Sequence, residues 1–172
     1  MPSLIAGTQK HEYVSGLRKA YSTLAAASQA VIAEEGLPKC NEGGWACSAE
    51  EIFNILKEHL NYVKECGTSE KECFPAGTSG SKSMILADGT SLRVWRDIYQ
   101  NCSGSGDGSD NVCAFINIDV NGLKKPNRGG KDIFSFVLKA DGIHPAGCDK
   151  EAENCTVHHC TCRVLRENAM NY

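Results

Sequence analysis

Tyr13-Val-Ser-Gly-Leu-Arg-Lys-Ala-Tyr-Ser-Thr-Leu-Ala-Ala-Ala-Ser-Gln-Ala-Val31 decides the fold, and it lies inside a longer segment, Ser3 to Glu35. Val14, Leu17, Tyr21, Leu24, Ala27 and Val31 recur at steps of three and four. That period gathers side chains on one face of an α-helix. Ser28 interrupts the stripe, while Arg18, Lys19, Ser22, Gln29 and Glu34 lie off it. Pro2 suits a first helical turn, where the N–H it lacks would be unpaired anyway. Gly36 and Pro38 end the segment, because Gly takes the left-handed capping conformation and Pro cannot continue a helix. The spacing predicts a helix of roughly 33 residues, about 50 Å at 1.5 Å per residue. The mean globular helix has about 11–12 residues.

The stripe is dense from Tyr13 onward and nearly absent over Gly7-Thr-Gln-Lys-His-Glu12. The C-terminal two-thirds can lie on a core, whereas the first three turns have little to bury. The helix is therefore expected to project beyond its own domain, as the continuation of a longer helix that begins upstream.

A chain of 172 residues predicts a single domain, here 1–172, with 1–36 as a helical spine and 37–172 as a globular head. The formal net charge is −3, with the signs mixed along the chain and no basic stripe, so no nucleic-acid partner is expected. No apolar run approaches 18 residues, and the N-terminus lacks the apolar region of a signal peptide.

Ten cysteines all follow the long helix: Cys40, Cys47, Cys66, Cys73, Cys102, Cys113, Cys148, Cys155, Cys160 and Cys162. An even number at this density suits an oxidising compartment and a disulfide framework. Spacing alone leaves the pairing open, but Cys102 and Cys113 bracket a Gly/Ser/Asp loop, and Cys40–Cys47 and Cys66–Cys73 bracket short turns. Local bridges are expected there. Cys155, His158, His159, Cys160 and Cys162 also have zinc-ligand chemistry, but no C-x2-C pair supports that use.

Ser48-Ala-Glu-Glu51 is a capping box. It predicts a second, shorter helix to about Lys64, with Ile52, Phe53, Leu56, Leu60 and Val63 on its apolar face and His59 beside it. Cys66 to Ser83 reads as loop. Ser83–Ala87 and Ser91–Trp95 read as strands joined at Asp88-Gly89, a tight-turn pair. Ser103–Asn111 is too glycine-rich and too polar for regular structure and reads as a surface loop. Val112–Val120 is the best strand, with Val112, Ala114, Ile116 and Ile118 on one face. Its partner is Asp132–Lys139, carrying Ile133, Phe134, Phe136 and Leu138. A turn at Asp141-Gly142 follows, then a loop from Cys148 to Asn154. Thr156–Leu165 reads as a closing strand, with Cys160 and Cys162 on one face and bonded to different partners. Two helices followed by four or five antiparallel strands make an α+β fold, with the long helix packed on the sheet and the loops stapled by disulfides.

No nucleophile elbow, Walker loop, H-E-x-x-H or paired-carboxylate motif is present, so an enzyme is not expected. Trp45, Trp95 and the polar loops suit a binding module. The segment joining the two best strands runs Asp119-Val-Asn-Gly-Leu-Lys-Lys-Pro-Asn-Arg-Gly-Gly-Lys-Asp132. Asx and Gly residues make turns there. Asp119 and Asn121 also place hard oxygens two residues apart, with Asp132 able to close a calcium site, although the other acidic positions of an EF-hand loop are missing. Asp107 and Asp110 are weaker candidates. Calcium is the one cofactor the sequence suggests.

Four stretches carry a resemblance. Pro2-Ser-Leu-Ile5 leading into Glu12-Tyr-Val-Ser-Gly-Leu-Arg-Lys-Ala-Tyr-Ser-Thr-Leu24 is similar to the helix of bacterial type IV pilins and pseudopilins just after its membrane segment. Leu86-Ala-Asp-Gly-Thr-Ser-Leu92 resembles a strand turn in these proteins. Asp119-Val-Asn-Gly, Pro126-Asn127, Gly130, Asp132 and Phe134, then Asp141-Gly and Pro145-x-Gly147, resemble a motif frequent among them. Cys162-x-Val-Leu165 with a final Tyr172 is similar to their C-termini. The resemblance implies a pilin-like fold and a structural role as a subunit of a type IV pilus or related surface filament (a fimbrium), with adhesion or motility. The alternatives are a pseudopilin of a type II secretion system and a secreted, disulfide-rich adhesin module. It implies self-association through the N-terminal helix, where Leu4, Ile5, Lys10 and Glu12 would face other subunits, and contact with pilus or secretion machinery. It also implies an N-terminally methylated, membrane-anchored precursor at the inner membrane and periplasm, and a surface filament after assembly. The membrane would be reached only through an apolar segment upstream of Pro2. The cysteine count is high for this family.

Overall fold

The computed structural model describes residues 2–35, 48–66, 72–75, 81–150 and 160–170, with side chains at 2–6, 35, 96 and 100 excepted. Helix α1 spans Pro2–Glu35. Val14, Leu17, Ala20, Leu24, Ala27, Ser28 and Val31 are its buried residues, the stripe expected from the period with Ala20 added. Tyr21 is half-buried and stacks on Phe136 at 5.8 Å. Gly7, Thr8, Gln9, Lys10, His11 and Glu12 are all exposed.

Helix α2, Ala49–Glu58, begins at the expected capping box: Ser48 Oγ accepts from the Glu51 N–H and the Glu51 carboxylate accepts from the Ser48 N–H. It ends earlier than the predicted Lys64. His59 caps it, and Tyr62–Glu65 becomes strand β1. Val63 therefore leaves the helical face and is 68% exposed, whereas Leu60 remains buried in the turn. Helix α2 lies beside α1 on the sheet, with Ile52, Phe53 and Leu56 in the shared core.

The remaining strands are β2 (Lys82–Leu86), β3 (Ser91–Ile98), β4 (Gly104–Gly106), β5 (Ser109–Val112), β6 (Ala114–Asp119), β7 (Ile133–Lys139) and β8 (Gly142–Pro145). Six of them form one sheet, ordered β1-β2-β3-β6-β7-β8, with every neighbouring pair antiparallel. Four or five strands were expected, and β1 and β8 are the additions. The α+β class holds: the sheet turns Leu92, Val94, Ile116, Ile118, Phe134 and Phe136 into the core that α1 and α2 cover.

The axis of α1 follows β7. Gly16 abuts Val120, whose N–H donates to Asp132 O just before the strand, and Gln29 donates to Asp141 O just after it. Thirteen helical residues advance about 20 Å, and the six steps of an antiparallel strand from Ile133 to Lys139 advance about the same.

Three local readings are corrected. Ser103–Asn111 is not an irregular loop but the β4–β5 hairpin. Its turn uses positive φ at Asp107 and Gly108, and the Cys102–Cys113 disulfide clamps its base. Gly104 is required there because a Cβ would collide with the Tyr99 ring. Val112 does not continue into β6. The chain bends at Cys113, so Val112 packs with Val137, Ala146 and Phe115 instead of with Ile116 and Ile118. The closing segment is a helix, α3 (Thr161–Glu167), not a strand. Thr161 and Val164 share its buried side, at helical spacing. Arg163 pairs with Glu167 at 2.8 Å, one turn on.

Cys66–Cys73 and Cys102–Cys113 are bonded as the local reading expected, and Cys148 pairs with Cys162. Cys160 is also disulfide-bonded, so neither Cys160 nor Cys162 offers a thiolate to zinc. Cys40, Cys47 and Cys155 lie outside the described residues, as do Trp45, His158, His159 and the side chains of Leu4 and Ile5. No described helix is long and apolar enough to cross a membrane.

Candidate functional site at the helix–loop junction

The loop from Val120 to Asp132 folds against α1 where the polar first turns give way to the buried stripe. Asp119, at the end of β6, and Asp132, just before β7, are both fully buried. The structure brings these two carboxylates together with Asn121. It adds Asn127, the Lys124 carbonyl and Tyr13 of α1, which sequence spacing did not single out.

The Asp132 carboxylate accepts from the N–H groups of Asn127 and Arg128, both at 2.7 Å. It closes the loop as an Asx-type cap, which fixes the chain on either side of Pro126. Asp119 Oδ1 accepts from the Asn121 N–H at 3.2 Å. Burial, and then the nearby Asp132 charge, push the Asp119 carboxyl up to about 8, against the partial relief of the Asn121 and Gly122 N–H groups. The carboxyl form is favoured because a buried charge beside a like charge has lost its water. Burial, followed by the Asp132 charge, also raises the Tyr13 phenol.

The two amides can be set in two ways, and only the inward one satisfies both in the absence of an ion. Turned inward, the Asn121 nitrogen donates to Lys124 O at 3.1 Å and to Asp119 Oδ1 at 2.5 Å, and the Asn127 nitrogen donates to Lys124 O at 2.6 Å and to Asp119 Oδ2 at 3.2 Å. Turned outward, Asn121 Nδ2 faces Tyr13 Oη at 3.5 Å and Lys125 O at 3.3 Å, and Asn127 Nδ2 faces Leu123 O at 3.5 Å. The outward setting leaves both amide oxygens pointing at Asp119 and Lys124 O. Carboxylate, amide and carbonyl oxygens are the donors that calcium takes. Asp119, Asn121, Asn127 and Lys124 O could therefore hold such an ion, with Asp132 supplying charge behind them. Among the described residues no cluster of three or more His, Cys, Asp or Glu side chains forms a metal site, so any ion here would rest mainly on neutral oxygens. Asp107 and Asp110 are not part of this cluster: Asp110 pairs with Lys150 at 3.0 Å.

The same junction holds a groove of about 420 Å³ lined by Gln9, Lys10, Tyr13, Lys125, Pro126, Lys131 and Met170. Lys10 Nζ donates to Met170 O at 2.9 Å. Lys10 thus touches its own C-terminal segment, while Glu12 is exposed. A second recess, about 310 Å³, lies near the β4–β5 hairpin between Trp95, Asp97, Tyr99, Ser105, Gly106, Asp107, Phe115 and Asn117.

Beside that recess a polar ladder crosses the sheet. Arg93 Nη2 donates to Asn117 Oδ1 and Asn117 Nδ2 donates to Ser135 Oγ, both at 2.7 Å. The Arg93 guanidinium stacks between Phe74 and Trp95, 4.4 and 4.5 Å from the ring centres. Polar residues at alternating strand positions read as solvent-facing in the sequence, so only their pairing across three strands reveals the ladder.

No family model, no curated protein and no solved structure was found to match the chain.

Proposed function

We propose that the chain is the spine-and-head portion of a surface-filament subunit of the type IV pilin kind. The observation that carries the reading is the division of α1. Its residues from Val14 to Val31 are held by the head's own sheet, while Gly7 to Glu12 are exposed on the same continuous helix. A helix of this kind can join its own head along one part and pack against neighbouring helices along the other. The three described disulfides support an oxidising destination. The reading requires about 20 predominantly apolar residues just upstream of Pro2 in the gene, and filaments sheared from producing cells should contain the chain. A polar upstream segment, or a cleavable secretory signal ending at Met1, would overturn it.

The aromatic and acidic recess favours a second, compatible role in adhesion. Trp95, Tyr99 and Phe115 line it with rings, and Asp97 and Asp107 with carboxylates. This is the mixture by which shallow pockets orient small polar ligands with apolar faces, such as sugars. A glycan array probed with the native chain and with Trp95→Ala tests it. Binding that survives the substitution places adhesion elsewhere.

A further inference from the structure

We propose that the groove at the α1–loop junction is a docking surface for the anionic headgroups of a phospholipid bilayer. The biological setting rests on the filament-subunit reading, but the surface is argued from its own charge and position.

Lys10 of α1 and Lys125 and Lys131 of the Val120–Asp132 loop line one groove, and no acidic side chain lines it with them. Lys124 and Arg128 are exposed on the same loop. Five cations thus gather at one end of a chain whose net charge is −3. Sequence order hid this cluster, because Lys10 lies more than a hundred residues from the others. The two carboxylates nearest the loop cations in sequence, Asp119 and Asp132, are fully buried and engaged as described above, and Glu12, exposed two residues from Lys10, does not line the groove.

Most described lysines elsewhere are paired, although Arg18 of α1 is exposed and, like the loop cations, has no carboxylate partner among the described residues. Lys19, Lys57, Lys64, Lys82, Lys139, Lys150 and Arg163 each sit within 3.2 Å of a carboxylate. Among the described residues Lys124, Lys125, Arg128 and Lys131 have no such partner. Leu123, 45% exposed, stands at the start of this basic run. Basic side chains around an apolar one suit a surface that presents phosphates over hydrocarbon. Tyr13, Pro126 and Met170 supply apolar wall within the groove.

Position agrees with charge. Lys10 is eight residues from Pro2, the start of α1, about 12 Å along the helix axis. A bilayer entered by an upstream continuation of α1 would meet this end of the head first. The field of an anionic leaflet decays over about 8 Å at physiological salt, within reach of extended lysine side chains on the loop. The groove would then tilt and hold the head on the membrane before assembly and release it on extraction, since contacts of this kind are weak singly.

The test is co-sedimentation of the native 172-residue chain with phosphatidylglycerol vesicles and with phosphatidylcholine vesicles, at low ionic strength. Binding to the first and not the second is expected, falling steeply with added salt. A lysine near an anionic surface contributes about 1 kcal/mol, or about fivefold at 1.4 kcal/mol per tenfold. The double variant Lys125→Glu/Lys131→Glu should therefore bind at least about 25-fold more weakly. The control Lys64→Glu/Lys150→Glu makes the same change in net charge on exposed side chains elsewhere and should stay within about threefold of the native chain. Circular dichroism would confirm that both variants fold. Equal losses in both variants, no preference between the vesicles, or a Lys125/Lys131 effect on self-association without vesicle binding would each overturn the proposal. A polar upstream segment would remove the filament reading and leave the vesicle result standing. An apolar upstream segment with no vesicle binding would remove this inference alone.

Discussion

Ser28 Oγ, in the middle of the long helix, accepts the backbone N–H of Ile143 at 3.2 Å across 115 residues of sequence. The same hydroxyl donates to Ala25 O at 3.0 Å. Both residues are buried. The one polar interruption of the apolar stripe is thus the joint between the helix and β8, and Gln29 reinforces it by donating to Asp141 O at 3.1 Å.

Ser28→Ala should destabilise the chain by about 1–3 kcal/mol, because the Ile143 N–H would be left buried without an acceptor. Gly142 answers the same joint from the other side. A Cβ there would lie 2.9 Å from Gln29 Nε2 and 3.2 Å from Ser28 Oγ, at φ +127, so Gly142→Ala should cost at least as much. Urea denaturation of both variants measures this. A Ser28→Ala midpoint equal to the native one would mean that solvent replaces the lost acceptor.

The two parts of α1 should respond differently to substitution. Leu17 and Leu24 are fully buried. Truncating either to Ala should cost about 2–5 kcal/mol, and Asp at either position should prevent folding. Glu12 is exposed on the first turns, and Glu12→Ala should stay within about 0.5 kcal/mol. Lys10→Ala should lie slightly above that, since its ammonium caps Met170 O. Thermal melts of the four variants decide the point. A large loss from Glu12→Ala would place the first turns in the head's own core.

The long helix was legible because the eighteen residues from Val14 to Val31 repeated one period with Ser28 as the one polar break. The central strands were legible because Leu92 and Val94, Ile116 and Ile118, and Phe134 and Phe136 flank the polar residues Arg93, Asn117 and Ser135. What escaped was structure without an apolar signature of its own. Strand β1 is exposed along its whole length, so nothing in Tyr62-Val-Lys-Glu65 alternates, and pairing with β2 alone makes it a strand. The β4–β5 hairpin hides behind glycines that its turn and the Tyr99 ring demand. Helix α3 is only seven residues long, too short to show a period, and its threonine and cysteines favour strands locally. At the junction, Asp119, Asn121 and Asp132 were visible because they share one loop. Tyr13 and Lys10 were not, since the fold brings them in from the far end of the chain.

The Cys148–Cys162 bridge holds α3 to the loop that follows β8, closing a sequence separation of 14. Loops of that size contribute about 3 kcal/mol by restricting the unfolded chain. Cys148→Ser/Cys162→Ser should lower stability by about 2–4 kcal/mol and loosen the Met170 segment before the sheet. Hydrogen exchange at the Cys162 N–H, which donates to Ala146 O at 3.0 Å, reports that opening directly. Peptide mapping of the unreduced protein should recover Cys66–Cys73, Cys102–Cys113 and Cys148–Cys162. Ten titratable thiols in secreted material would exclude an oxidised native state.

Asp119 should make the stability of the metal-free chain depend on pH. Burial and the Asp132 charge push its carboxyl from the ordinary 3.8 up to about 8 in the folded chain. Between those values the folded form keeps a proton that the unfolded chain has lost, so stability falls as pH rises from about 4 to 8, by at most about 1.4 kcal/mol per pH unit. The lowered carboxyls of Asp88, Asp141 and Asp149 act in the opposite sense. Their stabilisation is lost only as pH falls below the ordinary carboxylate range, so the two effects separate. In chelator, Asp119→Asn should remove the slope and melt above the native chain at pH 8, because an amide can accept from the Asn121 N–H without carrying charge. Calcium should then discriminate between the two amide settings. An ion among Asp119, Asn121, Asn127 and Lys124 O would compensate both buried carboxylates, raising the native melting point at pH 8 and leaving Asp119→Asn unmoved. A native chain indifferent to calcium, with its pH slope intact, would assign the loop to the inward-turned amides and a protonated Asp119.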